Sequence, residues 1–153
     1  MERLKSGVYG LDQMLCGGLN VFSNTVLIGP SGAGKTTIAT QFIRRGLEDG
    51  YDGIFISLDE NKGQIINEAE LADFVSTCEG SKTRIVIDPL TPVVWSITER
   101  YMQREILSRM FKMFRRVGTV MATLEEHSPA GMLDGEEVVI PMYLSDNVVY
   151  LAY

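Results

Sequence analysis

Gly29-Pro30-Ser31-Gly32-Ala33-Gly34-Lys35-Thr36 is the stretch that most restricts how this chain folds. It fits the eight-position pattern G-x-x-x-x-G-K-[ST] in full. The pattern has meaning only between a buried strand and an amphipathic helix. Both are legible here. Thr25-Val26-Leu27-Ile28 is apolar and partly β-branched, and it stops at Gly29-Pro30. From Lys35 onward, Ile38, Phe42 and Ile43 recur at helical spacing, with Gly46 just before the end of a helix of about three turns.

The chemistry of such a loop is anion capture. Gly29, Gly32 and Gly34 permit backbone angles and close approaches that a β-carbon would block. Backbone N–H groups from Ser31 through Gly32, Ala33, Gly34, Lys35, Thr36 and Thr37 can then converge on phosphate, helped by the positive end of the following helix. Lys35 would place its charge on the β- and γ-phosphates, and the Thr36 hydroxyl would ligate Mg²⁺. The expected ligand is a nucleoside triphosphate, ATP foremost.

The rest of the chain alternates in the same way. Val8 to Leu15 reads as a short helix ended by Gly17-Gly18, and Gly53 to Leu58 as an apolar strand. Gln64 to Cys78 favours helix, and Ile85-Val86-Ile87-Asp88 is a strand stopped by Pro89. Trp95 to Arg116 reads as one long helix, and Thr119 to Thr123 as a strand. Val138 to Met142 and Val148 to Leu151 read as a closing pair of strands. Continuously apolar strands alternating with helices imply a three-layer α/β fold around a mostly parallel sheet. Residues 1–153 contain no internal repeat or linker and are read as one domain.

Hydrolysis needs a metal ligand and a group that positions water. Asp88 ends its strand on the edge where the phosphate loop lies, and is the candidate metal ligand beside Thr36. Asp59 and Glu60 end the preceding strand on that edge. Either could orient or deprotonate water, and either could equally serve a helix N-terminus.

Charge and composition narrow the partners. The net charge is -6, from 20 acidic and 14 basic residues, which disfavours a general attraction to nucleic-acid backbones. Local basic character is confined to the stretch with Arg100, Arg104, Arg109, Lys112, Arg115 and Arg116, read as a solvated helix face. No apolar run approaches the roughly 20 residues of a membrane span. Together with two widely separated cysteines, Cys16 and Cys78, this gives a cytoplasmic protein with reduced thiols as the expectation. His127, the only histidine, is read as a loop residue.

In order along the chain, several segments resemble KaiC-like members of the RecA superfamily. Ser6-Gly7-Val8-Tyr9-Gly10-Leu11-Asp12 resembles that family's T-G-I-x-G-L-D opening, and Gly17-Gly18-Leu19 its G-G-L-P stretch, with Asn20 in place of proline. Gln41-Phe42, Ile54 to Glu60, Ile85 to Asp88 and Leu144-Ser145-Asp146-Asn147-Val148-Val149 also fit. The resemblance implies a RecA-type core and ATP with Mg²⁺. Lys35 and Thr36 would hold phosphate and metal, Asp88 would support the metal, and Glu60 or Asp59 would serve the water. It further implies a homo-oligomer, often a ring-shaped hexamer, or a protein partner. Asp59 is shorter than the family's first acid, which favours Glu60 as the base.

Two departures temper that picture. Between Glu60 and Ile85 there is room for one helix where relatives fit an additional strand and helix. The family's later Lys-x-Arg element, which reaches a neighbour's γ-phosphate, has no counterpart before Tyr153; a finger of this kind is worth about three to five powers of ten in rate. Two functions from different classes therefore stand at this point: a Mg²⁺-dependent ATPase, and a nucleotide-responsive interaction protein that scarcely turns ATP over. A recombinase-like DNA-associated protein is a third. A small-molecule kinase is disfavoured, because Glu125 to Glu137 contains no Arg or Lys for a lid.

Overall fold

The computed structural model describes residues 2–58, 73, 76–78, 82–127 and 131–152. Its centre is a five-stranded parallel sheet formed by β3 (Asn24–Gly29), β4 (Asp52–Ser57), β5 (Thr83–Asp88), β6 (Gly118–Glu125) and β7 (Asn147–Tyr150), in the order β4-β5-β6-β3-β7. β3 is buried along its whole length and β6 nearly so, as their unbroken apolar sequences require of central parallel strands. β4 lies at an edge, and its residues are half-buried or exposed.

Side chains alternate between the two faces. On one face Leu27, Val86 and Met121 pack against Ala39 and Phe42 of α2 (Lys35–Glu48). On the other, Val26, Ile28, Ile85, Ile87, Val120, Ala122 and Leu124 meet α3 (Thr91–Ser96), α4 (Arg100–Arg115) and α5 (Glu136–Leu144), chiefly through Val94, Leu107, Phe111, Phe114 and Val138. Each such side chain contributes about 1.5–3 kcal/mol by leaving water. An antiparallel pair, β1 (Arg3–Leu4) with β2 (Leu19–Asn20), brackets α1 (Tyr9–Met14) and lies over the α2 face through Leu4 and Leu19. The α/β architecture read from the sequence is the one observed.

The structure corrects two of the sequence expectations. The stretch Val138 to Met142 is not a strand but part of α5. Its β-branched run suggested otherwise, but Glu136 and Glu137 place acid in the first helical turn, and Val138 packs into the core beside α4. The long helix expected from Trp95 to Arg116 is two helices. Ile97 and Glu99 are extended, and the buried Gln103 side chain donates to the Val94 carbonyl at 2.7 Å, closing the end of α3. The helix expected from Gln64 to Cys78 falls mostly outside the described residues, with Ser76, Thr77 and Cys78 helical.

Candidate nucleotide site

The phosphate loop leaves the carboxyl end of β3 and enters α2, as its sequence demands. Gly32 and Gly34 have φ of 80° and 90°, the left-handed region that glycine enters without strain. Gly29 is needed for a different reason: a β-carbon there would sit 2.7 Å from the Leu151 carbonyl oxygen. At the start of α2 the N-cap position is Gly34, and no side chain caps it. An α-helix leaves the N–H groups of its first turn without partners inside the helix, and no cap among the described residues takes them here.

Lys35 is half-buried, and its Nζ donates to the carbonyls of Gly29 at 2.8 Å and Pro30 at 2.7 Å. The ammonium therefore spans the base of its own loop. Burial lowers its pKa below the ordinary 10.5, and the negative charges of Glu125 and then Asp88 oppose that shift. Thr36 and Thr37 are exposed at the loop's outer side. With Thr40, Gln41 and Arg44 they line an open hollow of about 300 Å³ along α2.

Asp88 closes β5, half-buried, and its Oδ1 accepts a hydrogen bond from the Thr123 hydroxyl of β6. Ser57 stands opposite Asp88, and Leu58 N donates to the Asp88 carbonyl at 3.2 Å. Asp59 and Glu60 follow directly in sequence but lie outside the described residues. Gly29 and Asp88 therefore end their strands on the same edge of the sheet, Lys35 and Thr36 follow from that edge into α2, and Lys35 lies within reach of the Asp88 charge. Thr36 and Asp88 offer hard oxygen donors of the kind Mg²⁺ takes, an ion that keeps several waters and binds through one or two carboxylates and phosphate. Among the described residues no group of three or more His, Cys, Asp or Glu is placed to hold a metal by itself.

Sequence reasoning missed two residues beside the loop, Glu125 and Thr91, and one structural cation, Arg84. Glu125 ends β6 directly opposite Gly29 in the β3–β6 register. Thr91 is buried, and its hydroxyl accepts from Glu125 N at 3.0 Å. Arg84, at the far end of β5, is fully buried; the one signal was a lone cation inside an apolar strand. Its Nη1 donates to the carbonyls of Lys5 at 2.7 Å and Phe42 at 2.9 Å, and Nη2 reaches Asp49 at 3.4 Å. His127 is half-exposed, its ring lies against Trp95 with centroids 4.8 Å apart and the planes tilted by 53°, and its backbone N–H donates to Glu137.

The other motifs lie at the opposite end of the sheet. The Asp12 carboxylate accepts from Ser6 N at 2.7 Å, and Gly7, at φ 87°, packs where a β-carbon would touch Gln41 and Arg45 of α2. Asp146 accepts from Asn24 N at 2.7 Å, and Asn147 Nδ2 donates to the Thr25 hydroxyl at 3.2 Å. These segments hold the chain to itself.

A sequence profile of the KaiC ATPase family matches residues 4–76, the stretch that runs through the phosphate loop. The chain is KaiC-like. Among curated relatives, the UPF0273 protein of Thermotoga maritima is 30% identical over 109 residues, covering 69% of this chain and 45% of that protein. A UPF0273 protein of Methanopyrus kandleri is 39% identical over 70 residues, covering 46% and 28%. The circadian clock oscillator protein KaiC of Parasynechococcus marenigrum is 24% identical across 99% of this chain and 37% of its own length. This KaiC-like chain thus spans less than half the length of these relatives. The crystal structure of a KaiC-like protein from Pyrococcus horikoshii superposes with a TM-score of 0.70 at 24% identity, covering 97% of this chain and 80% of that one, which establishes the shared fold. The profile match and these relatives support a P-loop protein of the ATPase type. Among the described residues no helix is long and apolar enough to cross a membrane.

Proposed function

We propose that this KaiC-like domain binds ATP with Mg²⁺ at the loop from Gly29 to Thr36, hydrolyses it, and couples nucleotide state to contacts with further copies of itself or a partner. The observation that carries the reading is a start of α2 with no side-chain cap, beside a lysine that, among the described residues, is bonded to the carbonyls of its own loop. A triphosphate entering the loop would receive N–H groups from Gly32 and from Gly34 to Thr37, Ala33 N being held by the Pro30 carbonyl at 3.2 Å, and Lys35 would exchange two neutral acceptors for charged phosphate oxygens. Charge-assisted bonds of that kind are about twice as strong as neutral ones. Thr36 and Asp88 would hold the metal, with Thr123 fixing the Asp88 rotamer. Bound there, Mg²⁺ would offset negative charge on the β- and γ-phosphates.

Glu60, with Asp59 as the shorter alternative, would orient the attacking water from the end of the strand that pairs with β5. The exposed flank formed by Thr36, Thr37, Thr40, Gln41 and Arg44 leaves the nucleotide open on one side, where a second copy would exclude water and add a cation. Phosphate release by the purified protein with MgATP tests the reading. The expected result is slow turnover that Glu60→Gln abolishes while ATP binding persists. Tight ATP retention with no release from the unaltered chain would contradict the enzyme and leave a nucleotide-responsive interaction protein.

A further inference from the structure

The acids expected at this site come from β4 and β5. The fold adds one from β6. Thr123 reaches Asp88 with its hydroxyl, so Thr123 lies on the α2 face of the sheet with Arg84, Val86 and Asp88. Strand side chains alternate, and Glu125, two residues further toward the carboxyl edge, shares that face. Glu126 turns to the other face, where its carboxylate accepts from Leu133 N at 3.4 Å and lies beside the Tyr150 phenol.

Glu125 is also fixed in place. Its own N–H is held by the Thr91 hydroxyl at 3.0 Å, and the next N–H, of Glu126, donates at 3.1 Å to the Gly29 carbonyl, which Lys35 Nζ also occupies. The end of β6 is therefore bonded to the base of the phosphate loop. Of the carboxylates acting on Lys35, Glu125 exerts the largest effect, ahead of Asp88.

Building on the proposed nucleotide site, we infer that Glu125 is a positioning carboxylate of that site: it is a counter-charge to Lys35 at the base of the loop, and with MgATP bound its negative charge would act on the metal–triphosphate complex. A fixed anion here opposes metal-free triphosphate and favours the metal complex, so it makes nucleotide affinity dependent on Mg²⁺. The consequence is selectivity for MgATP over free ATP, set by a residue that need not touch the nucleotide.

The test compares ATP affinity by titration calorimetry, in Mg²⁺ and in EDTA, for the unaltered chain, E125Q and E136Q. E136Q removes one charge at the exposed start of α5. For E125Q the ratio of the two affinities should fall by roughly five- to tenfold, mainly through tighter binding in EDTA, the size expected of one nearby like charge. E136Q should keep the original ratio. An unchanged ratio in E125Q, or an equal fall in E136Q, would overturn the inference and leave the phosphate-loop reading intact. The reading itself fails separately if K35A binds MgATP as tightly as the unaltered chain.

Discussion

The two ends of the β5 strand carry one charged residue each on the same face, and they are treated in opposite ways. At the amino end Arg84 is fully buried, with two carbonyls and Asp49 on its guanidinium and the rings of Phe42 and Tyr51 beside it at 4.9 and 5.2 Å. At the carboxyl end Asp88 is half-buried, and Lys35, which feels its charge, is bonded among the described residues to the carbonyls of Gly29 and Pro30. Three residues, Ile85, Val86 and Ile87, separate the two. Charge at one end ties the N-terminal segment and α2 to the sheet; charge at the other, on the proposed reading, meets a ligand. Within β5 the buried ion serves stability, and the half-buried one belongs to the proposed site.

If that division holds, the largest stability loss comes from the amino end. Arg84→Met should lower stability by about 3 kcal/mol, because it strands the Lys5 and Phe42 carbonyls, while Asp49 keeps its ion pair with Arg45. For a chain of this length that is a fall in Tm of about 6–12 °C, readable by circular dichroism. Affinity for ATP, measured well below that Tm, should stay as it was. A large loss of affinity with no loss of stability would mean that the two ends are not separate.

A smaller effect is expected at Asp146, which caps the first N–H of β3 and faces Arg115 at 3.5 Å. Asp146→Ala should cost about 1–2 kcal/mol, since it exposes one unsatisfied donor and a surface-facing ion pair contributes little. Urea denaturation would register this as a lower midpoint with unchanged slope. A stable variant that lost ATP binding would move this motif from the scaffold to the site.

How much of this was legible in the sequence follows the same division. The phosphate loop was read in full, because its glycines, lysine and threonine act through local backbone geometry between adjacent elements. Asp88 was read because a strand end is visible as the stop of an apolar run. Arg84 was not, since its partners Lys5, Phe42 and Asp49 are distant in sequence and only the packing of α2 brings them together. Glu125 was hidden for a related reason. It sat in a pair of acids, Glu125 and Glu126, and only the register with Gly29 separates the carboxylate on the loop side from the one beside Tyr150. The helix at Glu136–Leu144 was misread as a strand because β-branched residues dominate its middle and Pro141 lies inside it, while the packing that decides the matter is tertiary.

The separation of ligand site from scaffold is tested most directly by thermal unfolding with and without MgATP, for the unaltered chain, Lys35→Ala and Arg84→Met. At about a hundredfold excess of ligand over Kd, binding should raise the Tm of the unaltered chain by about 5–10 °C. Lys35→Ala should melt near the unliganded temperature and gain little from MgATP. Arg84→Met should melt lower yet gain as much as the unaltered chain. A full MgATP shift in Lys35→Ala, or none in the unaltered chain, would contradict the assignment of this loop as the nucleotide site.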